Sequence, residues 1–392
     1  MKNWIKELYH FITLRMLFPW QYRRYSKNPL EKNKVVFIET NLPGLSSNLT
    51  LIYQELEKRG GYCLKIHCLR ESYVGKASYI RNAMNCLKDM ATAGNVFLRD
   101  ADRMVSCIHP REYTVITQVW HGCGAFKKFG MSTTDLLYGG NDQDYIKYPY
   151  YGNLNYVTVS SPEVIWAYEE AMNLKDTVTR ILPIGISRTD VFFRKDFLDS
   201  ARKHVYDEVP QAAGRKILLY APTYRGSLPN AAAPEAMDIQ AMMPALEKEY
   251  VLLIKHHPFV KQRPRLPEET SRFAFDVTDR ISIEELICVS DVCISDYSSL
   301  VFEYSLFERP MIFYAFDLEA YGEWRGFYYD YDELTPGPVV RTTKEIIHYI
   351  QNLETEFDHQ KVLEFKNKFM SACDGNATER IIQLAVERRS RL

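Results

Sequence analysis

Four short motifs in the sequence carry side chains that could bind or transfer a phosphoryl group. They are Trp120-His121-Gly122, Ala221-Pro222-Thr223-Tyr224-Arg225, Lys255-His256-His257-Pro258 and Ser295-Asp296-Tyr297-Ser298-Ser299. The imidazole of His121 could take the proton from an alcohol near neutral pH, as attack of that alcohol on phosphorus requires. The alternative is that His121 is only a hydrogen-bonded structural imidazole. Gly122 permits close approach of the backbone, and Lys127 and Lys128 could hold an anion.

Ser298 and Ser299 lie where a predicted strand gives way to a predicted helix. Residues 292–294 form an apolar run typical of a buried strand, and the apolar positions after Ser299 have helical spacing. The first N–H groups of a helix lack partners within the helix and make that end positive, so two hydroxyls there suit a phosphate. Glu303 lies one turn further on, at about the reach of a ribose. The alternative is that one of the serines only caps the helix.

The C-terminal half alternates predicted strands and helices, which is typical of a parallel, doubly wound α/β sheet. The predicted strands are 216–220, 250–255, 273–277, 292–294 and 311–316. Three of the motifs follow strands of this sheet, and the carboxyl ends of parallel strands meet at one edge. Their hydroxyls, together with Arg225 and Lys255, therefore suit the diphosphate of a nucleotide.

The N-terminal half shows the same alternation and predicts another α/β domain. Its predicted strands are 34–40, 62–69, 96–98, 114–120 and 156–159, with a further candidate at 104–108. His121 follows one of these strands, at the edge where ligands bind. The loop after the first strand has no GxGxxG, so a dinucleotide site is not supported there. We predict three parts, residues 1–33, 34–200 and 201–392, with a polar helical link near 190–212.

Neither a metal site nor a nucleic-acid site is predicted. The three D-x-D triples are interpreted as loop or surface features, because none clearly follows a predicted strand: Asp100/Asp102, Asp142/Asp144 and Asp330/Asp332. The eight cysteines include no CxxC pair, which argues against zinc and favours reduced thiols in the cytosol. A formal net charge of −1 provides no basic field for nucleic acid. No cofactor is required on this interpretation, and magnesium is not indicated.

The first 34 residues predict a basic amphipathic helix. They contain eight lysines and arginines against two glutamates, a net charge of +6, and Trp4 and Phe11 belong to an apolar set at helical spacing. Such a helix favours contact with an anionic membrane surface. The alternative is a helix packed on the protein's own core. No apolar run reaches 18 residues and no cleavage site follows, so neither a membrane-spanning helix nor a signal peptide is predicted.

Two further segments lack a regular pattern. Residues 227–234 are rich in proline and alanine and predict a flexible loop. The tail at 387–391 is charged and predicts a solvated end to a helical C-terminal region.

The chain resembles the CDP-glycerol glycerophosphotransferase family, which builds wall teichoic acids and related capsules. The resemblance rests on an ordered set of motifs across 120–338, whereas residues 35–110 match only as a generic α/β domain. Of the four motifs above, the set contains three in full and His257-Pro258 of the fourth, where many members have Arg-Leu in place of Lys255-His256. It also contains Gly185-Ile186, Arg188-Thr189-Asp190, Arg309-Pro310, Phe316-Asp317-Leu318-Glu319, Arg325-Gly326-Phe327-Tyr328 and Pro336-Gly337-Pro338. It implies a GT-B-like architecture, with two doubly wound α/β domains, an interdomain cleft and an N-terminal amphipathic helix.

The resemblance also implies an activity and residue roles. Glycerol phosphate would pass from CDP-glycerol to the hydroxyl of a polyprenyl-diphosphate-linked glycan or a growing polyol-phosphate chain, releasing CMP. The enzyme would be peripheral on the inner face of the cell membrane. His121 would be the base and His257 would contact the donor phosphates. The donor site would comprise Thr223, Arg225, Lys255, Asp296, Ser298, Ser299, Arg325 and, at the ribose, Glu303. The acceptor side would include Gly122, Lys127 and Lys128.

The sequence departs from the family pattern after the His-Gly pair. Many members have Thr-Pro where this chain has Cys123-Gly124-Ala125-Phe126. The departure leaves open whether the donor is CDP-glycerol or CDP-ribitol, and whether the enzyme primes or polymerises. The sequence also does not give the acceptor glycan, the product length or the oligomeric state. The short chain favours a primase or short-chain transferase. Two alternative functions remain, a GT-B glycosyltransferase that uses a nucleotide sugar and a non-catalytic scaffold that binds nucleotide or lipid.

Overall fold

The computed structural model describes residues 2–69, 75–137, 139–226 and 230–387, which form two compact units. Unit 1 comprises Met1–Gly122, Phe129–Asp190 and Ala372–Leu392. Unit 2 comprises Cys123–Lys128 and Val191–Ser371. The chain therefore enters unit 2 briefly, directly after Gly122, before it returns to unit 1.

Unit 1 is built around a parallel sheet that has six strands among the described residues. These are β1 (Glu31–Glu39), β2 (Cys63–Cys68), β3 (Ala93–Leu98), β4 (Val115–Gln118), β5 (Tyr156–Thr158) and β6 (Arg180–Leu182). The strand order is β2-β1-β3-β4-β5-β6, and every pair is parallel. Residues 35–38 are fully buried, because a strand inside a parallel sheet is covered on both faces.

Unit 2 contains a second parallel sheet, again with six strands in the part of the chain that is described. They are β7 (Lys216–Ala221), β8 (Tyr250–Ile254), β9 (Ala274–Asp276), β10 (Val292–Ser295), β11 (Met311–Tyr314) and β12 (Val339–Val340). The order β12-β11-β10-β7-β8-β9 reverses between β7 and β10. The motifs that contain Thr223 and Ser298 follow these two strands, so they lie at the topological switch point where such sheets bind ligands.

Helices connect the strands in both units. In chain order they are α1 (Lys2–His10), α2 (Phe18–Tyr25), α3 (Ser47–Arg59), α4 (Lys76–Met90), α5 (Arg103–Ser106), α6 (Asp142–Lys147), α7 (Ile165–Met172), α8 (Lys195–Glu208), α9 (Ile239–Leu246), α10 (Ile283–Val289), α11 (Leu300–Ser305), α12 (Leu318–Arg325), α13 (Thr343–Gln351), α14 (Leu353–Glu356), α15 (His359–Phe369) and α16 (Ala377–Ile382). Phe11–Leu17 and Gln383–Glu387 have π-helical bonding. Short 3-10 segments are Gly130–Thr133, Pro162–Val164, Ser187–Phe193, Pro210–Ala212, Glu268–Thr270 and Tyr331–Leu334.

The helix α16 belongs to unit 1, whereas the sequence-based division placed it in the second domain. Ile381 and Ile382 of α16 belong to the same apolar core as Phe37 and Phe97. The carboxylate of Asp190 accepts hydrogen bonds from the N–H groups of residues 377 and 378, at 3.0 and 2.7 Å. These contacts are the physical reason for the difference.

The predicted alternation of strands and helices in two doubly wound domains is confirmed. The candidate strand at 104–108 is wrong, because Asp102 accepts a hydrogen bond from the N–H of Met104 and starts the helix α5 there. Of the predicted loop at 227–234, residues 227–229 lie outside the described residues, and the remainder includes a bridge between Arg225 and Ala232. The predicted solvated tail beyond 387 also lies outside them.

The predicted N-terminal helix is confirmed and runs from α1 through the π-helical segment to α2. Leu14, Phe18 and Tyr22 are buried, whereas Trp4 and Phe11 are exposed. Within the described ranges, no helix is both long and apolar enough to cross a membrane.

Candidate active site

His121 lies just beyond the carboxyl end of β4 in unit 1, where a carboxylate holds its ring. Trp120, which precedes it, adopts a φ of 58°, a left-handed conformation that is uncommon for so bulky a residue. The Nδ1–H of His121 faces Oδ1 of Asp100, and Asp100 follows the neighbouring strand β3. The side chain of His121 is 42% exposed. Because Nδ1 is occupied, Nε2 is the nitrogen that can accept a proton.

Asp100 is suited to orient this histidine. Burial alone would raise the pKa of its carboxyl, yet the pKa lies below its ordinary value because His121 and Arg99 favour the anion. Arg99 donates from Nη1 to Oδ2 at 2.7 Å. A carboxylate in this position fixes the imidazole tautomer and stabilises the imidazolium that forms on proton transfer.

Sequence reasoning missed Asp100. The Asp100/Asp102 triple lies in a loop as predicted, but the prediction that it follows no strand is wrong, because β3 ends at Leu98 and Asp100 stands two residues later. The signal was available, since the predicted strand at 96–98 already placed Asp100 at a carboxyl end, next to the strand that precedes His121.

A cavity of about 250 Å³ opens beside His121 within unit 1. It is lined by Asp100, Ala101, Trp120, His121, Gly130, Tyr145, Tyr150 and Tyr151. The ring centroids of Trp120 and His121 are 4.2 Å apart, so the aromatic wall adjoins the imidazole. Aromatic faces and tyrosine hydroxyls around a proton acceptor suit the binding of a hydroxyl-bearing substrate.

Arg225 is the centre of a charged cluster in unit 2. Its Nε and Nη2 donate to both oxygens of Asp317 at 2.6 and 2.9 Å, and its Nη1 donates to Asp296 at 2.9 Å and to the carbonyl of Thr223 at 2.7 Å. Its guanidinium also lies over three aromatic rings, those of Tyr297, Phe316 and Tyr321, at 5.1 to 5.3 Å from their centroids. Four of the five N–H donors of the guanidinium are thus engaged within the protein. Arg225 mainly holds the loops together.

The loops after β7 and β10 are joined by Asp296. Its Oδ1 accepts the N–H groups of Thr223 and Tyr297 at 2.8 and 2.7 Å. The hydroxyl of Thr223 is buried and has no hydrogen-bond partner among the described residues. Ser298 accepts the N–H of Leu300 at 3.4 Å, whereas Ser299, which stands at the N-cap, makes no side-chain cap. The hydroxyl of Thr223 thus lies inside the protein without a hydrogen-bond partner among the described residues, and that of Ser299 caps no N–H group of the helix.

His257 is held as a neutral hydrogen-bond donor. Its Nδ1 accepts the N–H of Phe259 at 3.2 Å, which puts the proton on Nε2. Its ring packs between Tyr224 and Phe259, with centroids 4.8 and 4.6 Å away. Burial, assisted by the charge of Lys127, lowers the pKa of His257 to about 4. At neutral pH it can donate a hydrogen bond to a phosphate oxygen but carries no charge.

The other predicted donor and acceptor residues are distributed as follows. Lys255 donates to the carbonyls of Thr278 and Ile281, so it fixes that loop. Glu303 is buried in the first turn of α11, and Arg325 ends α12. The predicted acceptor residues separate, because Gly122 belongs to unit 1 and the two lysines, Lys127 and Lys128, belong to unit 2. No group of three potential metal ligands occurs among the described residues.

The chain is similar to known proteins over most of its length. A family model described as CDP-Glycerol:Poly(glycerophosphate) glycerophosphotransferase matches residues 20–387. The teichoic acid ribitol-phosphate primase of Bacillus spizizenii is 33% identical over 360 residues, covering 90% of both chains. The teichoic acid glycerol-phosphate primase of Bacillus subtilis is 28% identical over 360 residues, covering 88% of this chain and 90% of that protein.

Two further similarities concern longer relatives and the fold. The teichoic acid poly(ribitol-phosphate) polymerase of Bacillus spizizenii is 31% identical over 372 residues, which cover 94% of this chain but only 59% of the polymerase. The solved structure of the wall teichoic acid polymerase TagF superposes with a TM-score of 0.77 at 22% identity, covering 100% of this chain and 99% of that one. That likeness supports the GT-B-like fold.

Proposed function

The chain belongs to the CDP-glycerol:poly(glycerophosphate) glycerophosphotransferase family, and from that premise we propose how its residues carry out the reaction. The enzyme is a transferase of teichoic acid biosynthesis that moves glycerol phosphate from CDP-glycerol to a hydroxyl and releases CMP. The observation that carries the residue assignment is the His121–Asp100 pair at the carboxyl edge of the unit 1 sheet.

His121 is the general base of the proposed mechanism. Its Nε2 takes the proton of the acceptor hydroxyl as the oxygen attacks the phosphorus that bears the glycerol, while Asp100 holds Nδ1–H and compensates the imidazolium charge. The bond from that phosphorus to the bridging oxygen breaks, and CMP leaves with the electron pair. The cavity beside His121 receives the acceptor.

Unit 2 supplies the donor site of the proposed mechanism. The hydroxyls of Thr223 and Ser299 and the Nε2–H of His257 bind phosphate oxygens. Glu303 accepts from the ribose hydroxyls, and Arg325 adds positive charge. Arg225, Asp296 and Lys255 act as positioning residues, because their polar groups are engaged by the protein.

CDP-ribitol is a second candidate donor. One observation favours it: the ribitol-phosphate primase is the more similar of the two primases, at 33% identity against 28%. The acceptor of the proposed reaction is a polyprenyl-linked glycan or polyol-phosphate chain.

The N-terminal helix is proposed to bind the membrane that carries this acceptor. One of its sides packs on unit 1, where Lys6 pairs with Asp144 at 3.1 Å and Lys147 pairs with Glu7. Another side exposes large apolar residues, namely Trp4, Ile5, Leu8, Phe11, Ile12, Met16 and Trp20. The exposed basic residues Arg23 and Arg24 lie further along the same helix. Apolar exposure next to basic charge is the combination that holds a helix in an anionic bilayer surface.

A donor assay tests the function. Purified full-length protein is incubated with a synthetic lipid-linked disaccharide and, separately, with CDP-glycerol, CDP-ribitol and a UDP-sugar. We expect CMP and a polyol-phosphate product with at least one CDP-polyol, and the faster of the two identifies the donor. Release of UDP without release of CMP would overturn the proposal.

A further inference from the structure

The segment Cys123–Lys128, here called the crossing segment, belongs to unit 2 although the residues on either side belong to unit 1. The N–H of Lys128 donates to the carbonyl of Gly326 at 3.1 Å, and the N–H of Tyr328 donates to the carbonyl of Phe126 at 3.2 Å. Lys127 and Phe327 thus form an antiparallel bridge. The crossing segment is fixed by its backbone to the loop that follows α12.

Side chains fix the crossing segment as well. The ring of Phe126 meets those of Phe302, Phe327 and Tyr331, with centroids 6.1, 5.8 and 6.0 Å away. Gly124 has a φ of +63°, and a Cβ there would lie 2.4 Å from the Phe302 ring, so a larger residue would not fit. The backbone that carries Lys127 is therefore held in place by both backbone and side-chain contacts.

The ammonium of Lys127 lies near the charged groups of the proposed donor site, and no ion pair to it occurs in the described part of the chain. Among the described residues no carboxylate lies within salt-bridge distance of it, although Asp296 lies within electrostatic range, as do Arg225 and Arg325. The carboxylate of Asp296 is occupied by Arg225 and two backbone N–H groups. Asp317, the other carboxylate of the cluster, is engaged by Arg225. An anionic ligand would provide the missing counter-charge.

The protonation of Lys127 reflects this imbalance. Burial, assisted by the charges of Arg325 and Arg225 and opposed by Asp296, lowers the pKa of Lys127 to about 7. Burial also lowers the pKa of Arg325, to about 10. In the free enzyme at neutral pH, a large fraction of the Lys127 side chains is therefore neutral.

We propose that Lys127 binds the diphosphate of the donor nucleotide, and that donor binding draws a proton from solvent onto its amine. The proposal rests on the proposed function and deepens it, because it assigns Lys127 to the donor and not to the acceptor. It also gives the crossing segment a role, since Lys127 is only six residues beyond His121. The base and this donor contact then share one short stretch of chain.

The consequence is a pH-dependent donor affinity. A diphosphate raises the pKa of Lys127 in the complex, so the interaction is complete below pH 7 and is lost as pH rises above 7. Between pH 6 and pH 8 the Kd should rise about 10-fold, one decade per pH unit above the free-enzyme pKa. His257, with a pKa of about 4, and Arg325, with a pKa of about 10, keep their charge states across this range. Arg225 and Asp296 are the other charged groups of the described residues that act on the pKa of Lys127.

Isothermal titration calorimetry with full-length protein and CDP-glycerol, and in parallel with CDP-ribitol, tests the proposal. No acceptor is added. Each phosphate of these ligands has one ester bond and one anhydride bond, so its single acidic group stays ionised near neutral pH. Wild type should bind about 10-fold more weakly at pH 8 than at pH 6 and take up protons, seen as a dependence of the heat on buffer ionisation enthalpy. Lys127→Arg should bind equally at both pH values. Lys127→Met should bind at least about 10-fold more weakly at pH 6.

The matched control is Lys344→Met, an exposed lysine of unit 2, which should keep the wild-type affinity and pH profile. Wild-type affinity in Lys127→Met, or a pH profile in Lys127→Arg as steep as that of wild type, would overturn the proposal. If Lys127→Met does not fold, the pH dependence of Kd in Lys127→Arg decides. If Lys127 had only a structural role, this dependence would be as steep in Lys127→Arg as in wild type. Failure of wild type to bind either CDP-polyol at any pH would instead count against the proposed function.

Discussion

His121 in unit 1 and Arg225 in unit 2 are both charged or chargeable groups at the carboxyl edge of a parallel sheet, but their surroundings differ. The side chain of His121 is 42% exposed and has one carboxylate, that of Asp100, on one nitrogen. The side chain of Arg225 is 20% exposed and is engaged by two carboxylates, a carbonyl and three aromatic rings.

In the proposed mechanism this difference in surroundings matches a difference in role, because His121 acts as the base whereas Arg225 holds the donor loops in place. A base needs an accessible nitrogen and a fixed orientation. Asp100 fixes the orientation of the His121 ring and leaves Nε2 accessible. Arg225 has little capacity left for a ligand, so the transition-state charge must be met by other groups. In the proposed mechanism those groups are the hydroxyls of Thr223 and Ser299, the neutral donor His257 and the lysine of the crossing segment.

The largest effect is expected at Arg225. Arg225→Met leaves Asp296 and Asp317 without their partner in a part-buried cluster, so the free energy of unfolding should fall by about 3–5 kcal/mol. Urea denaturation followed by circular dichroism measures it. Arg272→Met is the matched control, because Arg272 also contacts one carboxylate through two nitrogens, that of Glu247, but on the surface. If both variants lose equal stability, the proposed distinction between the two regions fails.

A smaller effect on rate is expected at Asp100. Asp100→Asn removes the anion that holds Nδ1–H of His121, so kcat should fall about 10- to 100-fold, with an unchanged Kd for the donor. Steady-state CMP release and donor titration measure the two quantities. Asp102→Asn is the control two residues away, since Asp102 accepts from Tyr79 and Met104 and its loss should affect stability and not kcat. Equal kcat values in Asp100→Asn and wild type would show that the carboxylate does not assist the base.

Arg225 and Asp100 also show how much of the fold and of the candidate site could be predicted from the sequence. Apolar runs and their spacing predicted both sheets, because burial on both faces leaves a clear pattern. Arg225 was predicted to bind the donor, but its partner Asp317 lies 92 residues away and only the fold brings them together. Asp100 could have been predicted, since it follows a recognised strand. The membership of Lys127 in unit 2 could not be predicted, because the residues on both sides of the crossing segment belong to unit 1.

The smallest effect is expected on membrane binding by the N-terminal helix. Such binding would give unit 1 a lipid contact that is not proposed for unit 2. Trp4→Glu combined with Phe11→Glu places charge on the exposed apolar side of the N-terminal helix, so pelleting with anionic vesicles should fall at least about 10-fold. Val178→Glu, at an isolated exposed position, is the control and should pellet like wild type. Deletion of residues 2–19 should weaken pelleting too. Undiminished pelleting in the double variant would contradict the proposed membrane contact.

The most direct test of the whole account is the turnover of His121→Ala, measured with its donor affinity. If His121 is the base and unit 2 binds the donor, kcat should fall at least about 100-fold, while calorimetry with CDP-glycerol or CDP-ribitol gives the wild-type Kd. Turnover close to that of wild type, or loss of donor binding that accounts for the lost activity, would contradict the account.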